Sequence, residues 1–227
     1  MSVSLTWLGH AGFAVNASGM TFYVDPMSAE NTPDADLILC THRGPTHMHP
    51  PTLKAMLEAS PHARVVLPKS VADYANSLGI PNERLTTTDS DLRIEYFKNG
   101  LYGRVYAVPS AHPELHYTPI GGYPQLGYLI RFGDMTIYHA GDCRMYDGIV
   151  DRLRPYRVTV AILPIEGEGN FTIVEAAQLA EDIGVKWLVP MHYQSADRFV
   201  DHMLGFRPAT GFKVFQPGEY WTVPEES

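Results

Sequence analysis

The chain has 227 residues, 45% of them hydrophobic, enough to bury a sizeable core. Its formal net charge of -8 gives no electrostatic case for nucleic acid or an anionic membrane as partner. Cys40 and Cys143 make no disulfide framework, the longest apolar runs fall well short of the roughly 20 residues a spanning helix needs, and "MSVSLTWLGHAGF" lacks the basic segment and long apolar stretch of a signal peptide. The expectation is a soluble cytoplasmic protein.

In chain order, residues 4–8, 12–15 and 20–24 are predicted as strands, with "NASG" as a hairpin turn. "DLILC" follows as a buried strand, and "PPTLKAMLEAS" as a helix with proline at its start. After the strand "RVVLP", "SVADYANSLG" is predicted as a helix capped by Ser70 and stopped by Gly79. Residues 92–97, 104–108, 126–132 and 135–139 are further strands, the last two joined by a Gly133-Asp134 turn. "VTVAILP" is another buried strand. "TIVEAAQLAEDIG" is a helix with Thr172 and Glu175 in capping-box register. "KWLVP", "KVF" and "YWTV" close the chain as strands. With no repeat and no linker, strands interspersed with helices predict one α/β or α+β sandwich spanning residues 1–227.

Four apolar runs end in a metal-ligating side chain. "LILC" leads to His42 and His47, "RVYAVPSA" to His112, "MTIYHAG" to Asp142 and "KWLVPM" to His192. In layered sheets ligands collect where strands end. Imidazoles with one carboxylate suit zinc, iron or manganese. Any one of these histidines alone is more simply a satisfied polar residue; four recurrences of the pattern favour a cluster.

The ordered set "LGHAGF", "YVDP", "THRGPTHMHP", "PSAHPE", "YHAGD" and "LVPMHY" resembles the metallo-β-lactamase fold superfamily, and within it the branch related to L-ascorbate-6-phosphate lactonase. The resemblance covers the chain from Trp7 to about Tyr220. It implies a four-layer αββα sandwich, a metal centre at one sheet edge, hydrolysis of a small-molecule ester, lactone or phosphoester, and association into homo-oligomers. The family's His-x-His-x-Asp-His motif is degenerate here. His42 and His47 match its outer histidines, while Gly44 and Thr46 stand where the second histidine and the aspartate belong. By carry-over, one half-site keeps His42, His112 and Asp142, and the other keeps His47, His192 and Asp142. Three protein ligands and a water suffice for one catalytic ion. Two ions bring four positive charges against a single certain carboxylate. The expectation is one divalent transition metal, zinc first, manganese or iron next, with Asp142 and His47 as catalytic residues. Restoring Gly44→His and Thr46→Asp is expected to raise the metal content toward two.

The resemblance places His10 and Asp25 near the same edge, with Asp25 as a hydrogen-bond partner that orients a ligand histidine. The Arg43 guanidinium either fills the cation position of the weaker half-site or is a solvated loop arginine. His49 and His116 are either replacement ligands or supporting loop residues, and Asn170 helps shape the pocket. Glu114, Glu166 and Glu168 are loop acids, each more simply a surface charge than a general base or an extra ligand. The competing functions are a metal-dependent hydrolase, a non-catalytic descendant that binds a metabolite or a protein, and a phosphate-binding site built from Arg43, Lys69, Arg144 and Arg198.

Overall fold

The computed structural model describes residues 1–28, 30, 33–206 and 208–224. The first half runs β1 (Val3–Gly9), β2 (Gly12–Ala17), β3 (Met20–Val24), β4 (Leu37–Leu39), α1 (Pro50–Ala59), β5 (Arg64–Pro68), α2 (Ala72–Ser77) and β6 (Leu85–Thr88). The second runs β7 (Arg93–Lys98), β8 (Leu101–Pro109), β9 (Leu126–Phe132), β10 (Met135–His139), α3 (Ile149–Leu153), β11 (Val160–Pro164), α4 (Ile173–Ile183), β12 (Trp187–Met191), α5 (Asp197–Phe206), β13 (Gly211–Phe212) and β14 (Tyr220–Thr222).

Strand alternation sorts these elements into layers. In β3, Phe22 and Val24 enter a core between the sheets, while Tyr23 faces α1 and packs with Leu53 and Met56. In β11, Val160 and Ile162 join the inter-sheet core. Ala161 and Leu163 instead meet Ala176, Leu179 and Ala180 of α4. Among the described residues the result is two seven-stranded sheets, β14-β1-β2-β3-β4-β5-β6 and β13-β12-β11-β10-β9-β8-β7, with helices outside both. This is the αββα sandwich expected from the sequence.

Local signals acted mostly as expected. The turn after β2 puts Ser18 and Gly19 at positive φ, as a two-residue hairpin requires. Proline starts α1, and the Thr172–Glu175 capping box opens α4. Ser70 is not a helix cap. Residues Lys69–Val71 form a 3-10 turn, and α2 begins only at Ala72 with no side-chain cap. Residues 213–215 ("KVF") lie beyond β13 and form no strand.

Pairing direction fixes where chemistry can gather. β3, β4 and β5 are parallel, and so are β10, β11 and β12. β1 reaches β3 through the antiparallel β2, and β8 reaches β10 through the antiparallel β9. The C-terminal ends of β1, β3, β4, β8, β10, β11 and β12 therefore open at one edge of the sandwich. Hydrogen bonds tie the two sheets there: Leu126 N donates to Thr41 O (2.9 Å), Tyr128 OH to Cys40 O (2.8 Å) and His139 Nε2 to Ala11 O (2.8 Å).

Candidate metal centre

Each strand leaving this edge is followed by at least one polar group, and the loop after β4 carries both His42 and His47. Four imidazoles converge on the Asp142 carboxylate. His42, His47 and His112 bring Nε2 to 3.6, 3.3 and 3.9 Å from Oδ2, and His192 brings Nε2 to 3.3 Å from Oδ1. His42, His47, Asp142 and His192 are all buried.

The far side of each ring is held by a partner of defined chemistry. His47 Nδ1 donates to Asp25 Oδ2 at 2.7 Å, and His112 Nδ1 donates to the Gly169 carbonyl at 3.0 Å. Both acceptors lack protons, so both rings turn an Nε2 toward Asp142. The Thr41 hydroxyl donates to Asp25 Oδ2 at 2.6 Å and accepts from His42 Nδ1 at 3.0 Å. His192 Nδ1 lies 2.6 Å from Glu166 Oε1, a close contact off the hydrogen-bonding angle. Gly141 permits this packing: at φ +62, a Cβ there would sit 2.8 Å from Thr41 Cβ.

The electrostatics follow from burial and these neighbours. Burial alone would lower the His47 pKa, but Asp25 and Asp142 together outweigh it and push it up to about 10. Burial, with the neighbouring His47, draws His42 down to about 4. Burial would raise Asp142, yet His47, His42 and His192 hold it below the usual carboxylate range. Burial, then His192 and His47, lower His10.

Besides His192 Nδ1, three buried atoms at this centre, His47 Nε2, His192 Nε2 and Asp142 Oδ1, have no hydrogen-bond partner among the described residues. An unsatisfied buried polar group costs about 1–3 kcal/mol, and one cation can satisfy all three. Imidazole nitrogens with a carboxylate are the donor set of a divalent transition metal. The residues present therefore fit such a group.

The structure brings together His42, His47, His112, Asp142 and His192, with His10 and Asp25 beside them. The His10 ring lies 3.7 Å from that of His192 and 6.0 Å from that of His47, centroid to centroid. Asn170 is buried at the margin, where its Nδ2 donates to Glu166 Oε1 at 2.9 Å. Three residues stand apart from the cluster, as the alternative reading of each allows. Arg43 is exposed and lies over the Tyr74 ring at 4.2 Å, so its guanidinium does not occupy a cation position. His49 precedes α1, where its Nδ1 donates to Thr52 Oγ1 (2.9 Å), itself bound to Met27 O (3.0 Å). It is tied to the helix start, not to the cluster. His116 is exposed, and among the described residues no hydrogen bond or ion pair ties it to the centre. Gly44 also qualifies the restoration idea: a Cβ there would meet His42 Nε2 at 3.1 Å, so a histidine fits only if His42 yields.

Sequence reading missed Thr41, which hydrogen-bonds Asp25 and His42, and the pairing of Glu166 with His192. It also missed His139, fully buried, donating to Ala11 O and accepting from Gly141 N at 3.1 Å. Only the position of His139 at a strand end, before Asp142, hinted at it.

Comparison with known proteins identifies the family. The family profile described as "Beta-lactamase superfamily domain" matches residues 4–192. A "UPF0173 metal-dependent hydrolase" of Caldivirga maquilingensis is 28% identical over 236 residues, covering 97% of this chain and 98% of its own. A UPF0173 protein of Pyrococcus furiosus is 31% identical over 194 residues, covering 84% and 83%. In fold, a metallo hydrolase from Ignicoccus hospitalis matches all of both chains with TM-score 0.80 at 20% identity. A diiron β-hydroxylase from Streptomyces venezuelae matches 97% of this chain and 54% of its own, with TM-score 0.76 at 17% identity. The chain belongs to the metallo-β-lactamase superfamily, among relatives named metal-dependent hydrolases.

Proposed function

We propose that the chain is a hydrolase that uses one divalent transition metal, zinc first and manganese or iron next, on an ester, lactone or phosphoester of a small metabolite. The reading takes residues 1–227 as one domain working in the cytoplasm. One observation carries it: four Nε2 atoms face a single carboxylate, Asp142, while Gly44 and Thr46 offer no ligand where the superfamily motif has two. Relatives named metal-dependent hydrolases support the reaction class. The motifs resembling the L-ascorbate-6-phosphate lactonase branch support the substrate class.

A bound cation would supply Lewis acidity and a water acidic enough to attack near neutral pH. Asp142 serves either half-site. The imidazole on the half that the cation leaves keeps its Nε2 for proton transfer. If the cation sits with His42 and His112, that imidazole is His47; if it sits with His47 and His192, it is His42.

Elemental analysis after mild dialysis tests the reading. The expected result is one tightly held equivalent in the wild type and none in Asp142→Ala. Two tight equivalents in the wild type would overturn the one-metal site. None, even after zinc and manganese are added, would instead support a non-catalytic module that binds a metabolite or a protein partner.

A further inference from the structure

We infer that His10 takes over as a direct metal ligand the role lost at Thr46, so that one cation is held by His10, His47, His192 and Asp142. This rests on the one-metal reading and says which half of the centre the ion occupies.

The first argument is placement. One ligand atom each from His10, His47 and His192 lie within 4.8 Å of one another, and so do those of His42, His47 and Asp142, so that His47 belongs to both groups. His47 and His192 also reach the two Asp142 oxygens at 3.3 Å, closer than His42 or His112 approach at 3.6 and 3.9 Å. Two of these nitrogens, His47 Nε2 and His192 Nε2, are the buried atoms left without a partner.

The second argument is charge. His47 and His192 each have a carboxylate behind the ring, Asp25 at 2.7 Å and Glu166 at 2.6 Å. A carboxylate behind a ligating imidazole raises its basicity. His42 and His112 are backed by neutral groups, the Thr41 hydroxyl and the Gly169 carbonyl. Asp142 is common to both sides, so the His47 side carries two further formal negative charges, Asp25 and Glu166, in direct contact with its rings, and these offset the missing motif aspartate. A cation favours that side over the other.

The third argument is backbone. His10 and His192 both adopt left-handed conformations, φ 52 and φ 60. Such non-glycine residues are strained and persist only where their surroundings hold them. Here one carbonyl couples the pair. His10 O accepts from Trp7 Nε1 (3.1 Å) and from His192 N (3.3 Å), and Trp7 stacks on Tyr193 at 5.4 Å. A register shift between Trp7 and Gly9 turns the β1–β2 hairpin so that His10 enters the centre. Three nitrogens and one carboxylate favour zinc over manganese and leave His42 and His112 off the ion.

The test uses the full chain and zinc alone. His10→Gln and His112→Gln are titrated with zinc against a chelator, and X-ray absorption counts the imidazoles on the bound ion. The wild type is expected to show three. His10→Gln should show two and lose more than about 100-fold in affinity, beyond the 10–100-fold range of an outer-shell partner. His112→Gln should keep three. His10→Asp, which returns a carboxylate, should hold one equivalent with two imidazoles. The assignment is overturned if His10→Gln keeps three imidazoles and wild-type affinity, or if His112→Gln loses one. Two equivalents in the wild type would defeat the one-metal reading alone, because loss of an imidazole in His10→Gln would still identify His10 as a ligand.

Discussion

Asp25 supports two imidazoles of the centre. Its Oδ2 accepts from His47 Nδ1 and Thr41 Oγ1, and its Oδ1 accepts from Thr41 N at 2.8 Å. Burial alone would raise its pKa, but His47 outweighs burial and lowers it. Asp25→Asn keeps the shape but turns one acceptor into a donor, so one of these three bonds must fail. Zinc affinity, measured by chelator competition, is expected to drop about 10–100-fold; an unchanged affinity would mean that Asp25 does not orient His47. Asp25 was legible from "YVDP" because the apolar run before it fixes the edge at which the carboxylate emerges. Side-chain direction within a loop was not legible. His42 is buried, and the adjacent Arg43 turns outward onto Tyr74. Glu166 looked like one surface acid among several until the fold set it against His192, 26 residues further along.

Elements were legible where local chemistry and burial agreed. In α4, the Thr172 side chain accepts from Glu175 N while Glu175 returns a bond to Thr172 N, and Ala176, Leu179, Ala180 and Ile183 form its buried stripe. Thr172→Ala is expected to cost about 1 kcal/mol in urea unfolding and to leave the metal content unchanged. A fall in metal content would mean that the cap also positions the loop of Glu166 and Asn170. The segments missed lack such agreement. α5 buries only Phe199 and Met203 of its ten residues, so its apolar stripe is thin. β6 reads "LTTT", without apolar alternation, and pairs only with β5 at the sheet edge. α3 has five residues, too few for a helical period to repeat.

At the scale of the whole molecule, the centre lies on the seam between the sheets. His10, His42 and His47 come from loops of the first sheet, and His112, Asp142 and His192 from loops of the second. His192 N to His10 O and His139 Nε2 to Ala11 O already cross that seam. A cation held by donors from both sides would add a further tie. The unfolded chain has no preformed site, so such binding stabilises the native state alone. With free zinc at 100 times its dissociation constant, the gain is about 2.7 kcal/mol. For a chain of this size, each kcal/mol moves the melting temperature by about 2–4 °C. Zinc added to chelator-treated protein is therefore expected to raise the melting temperature by about 5–10 °C. Asp142→Ala should show a much smaller shift at the same zinc concentration, because it removes the carboxylate common to both half-sites and leaves only imidazoles. A shift of wild-type size in that variant would put the stabilising ion somewhere other than this seam.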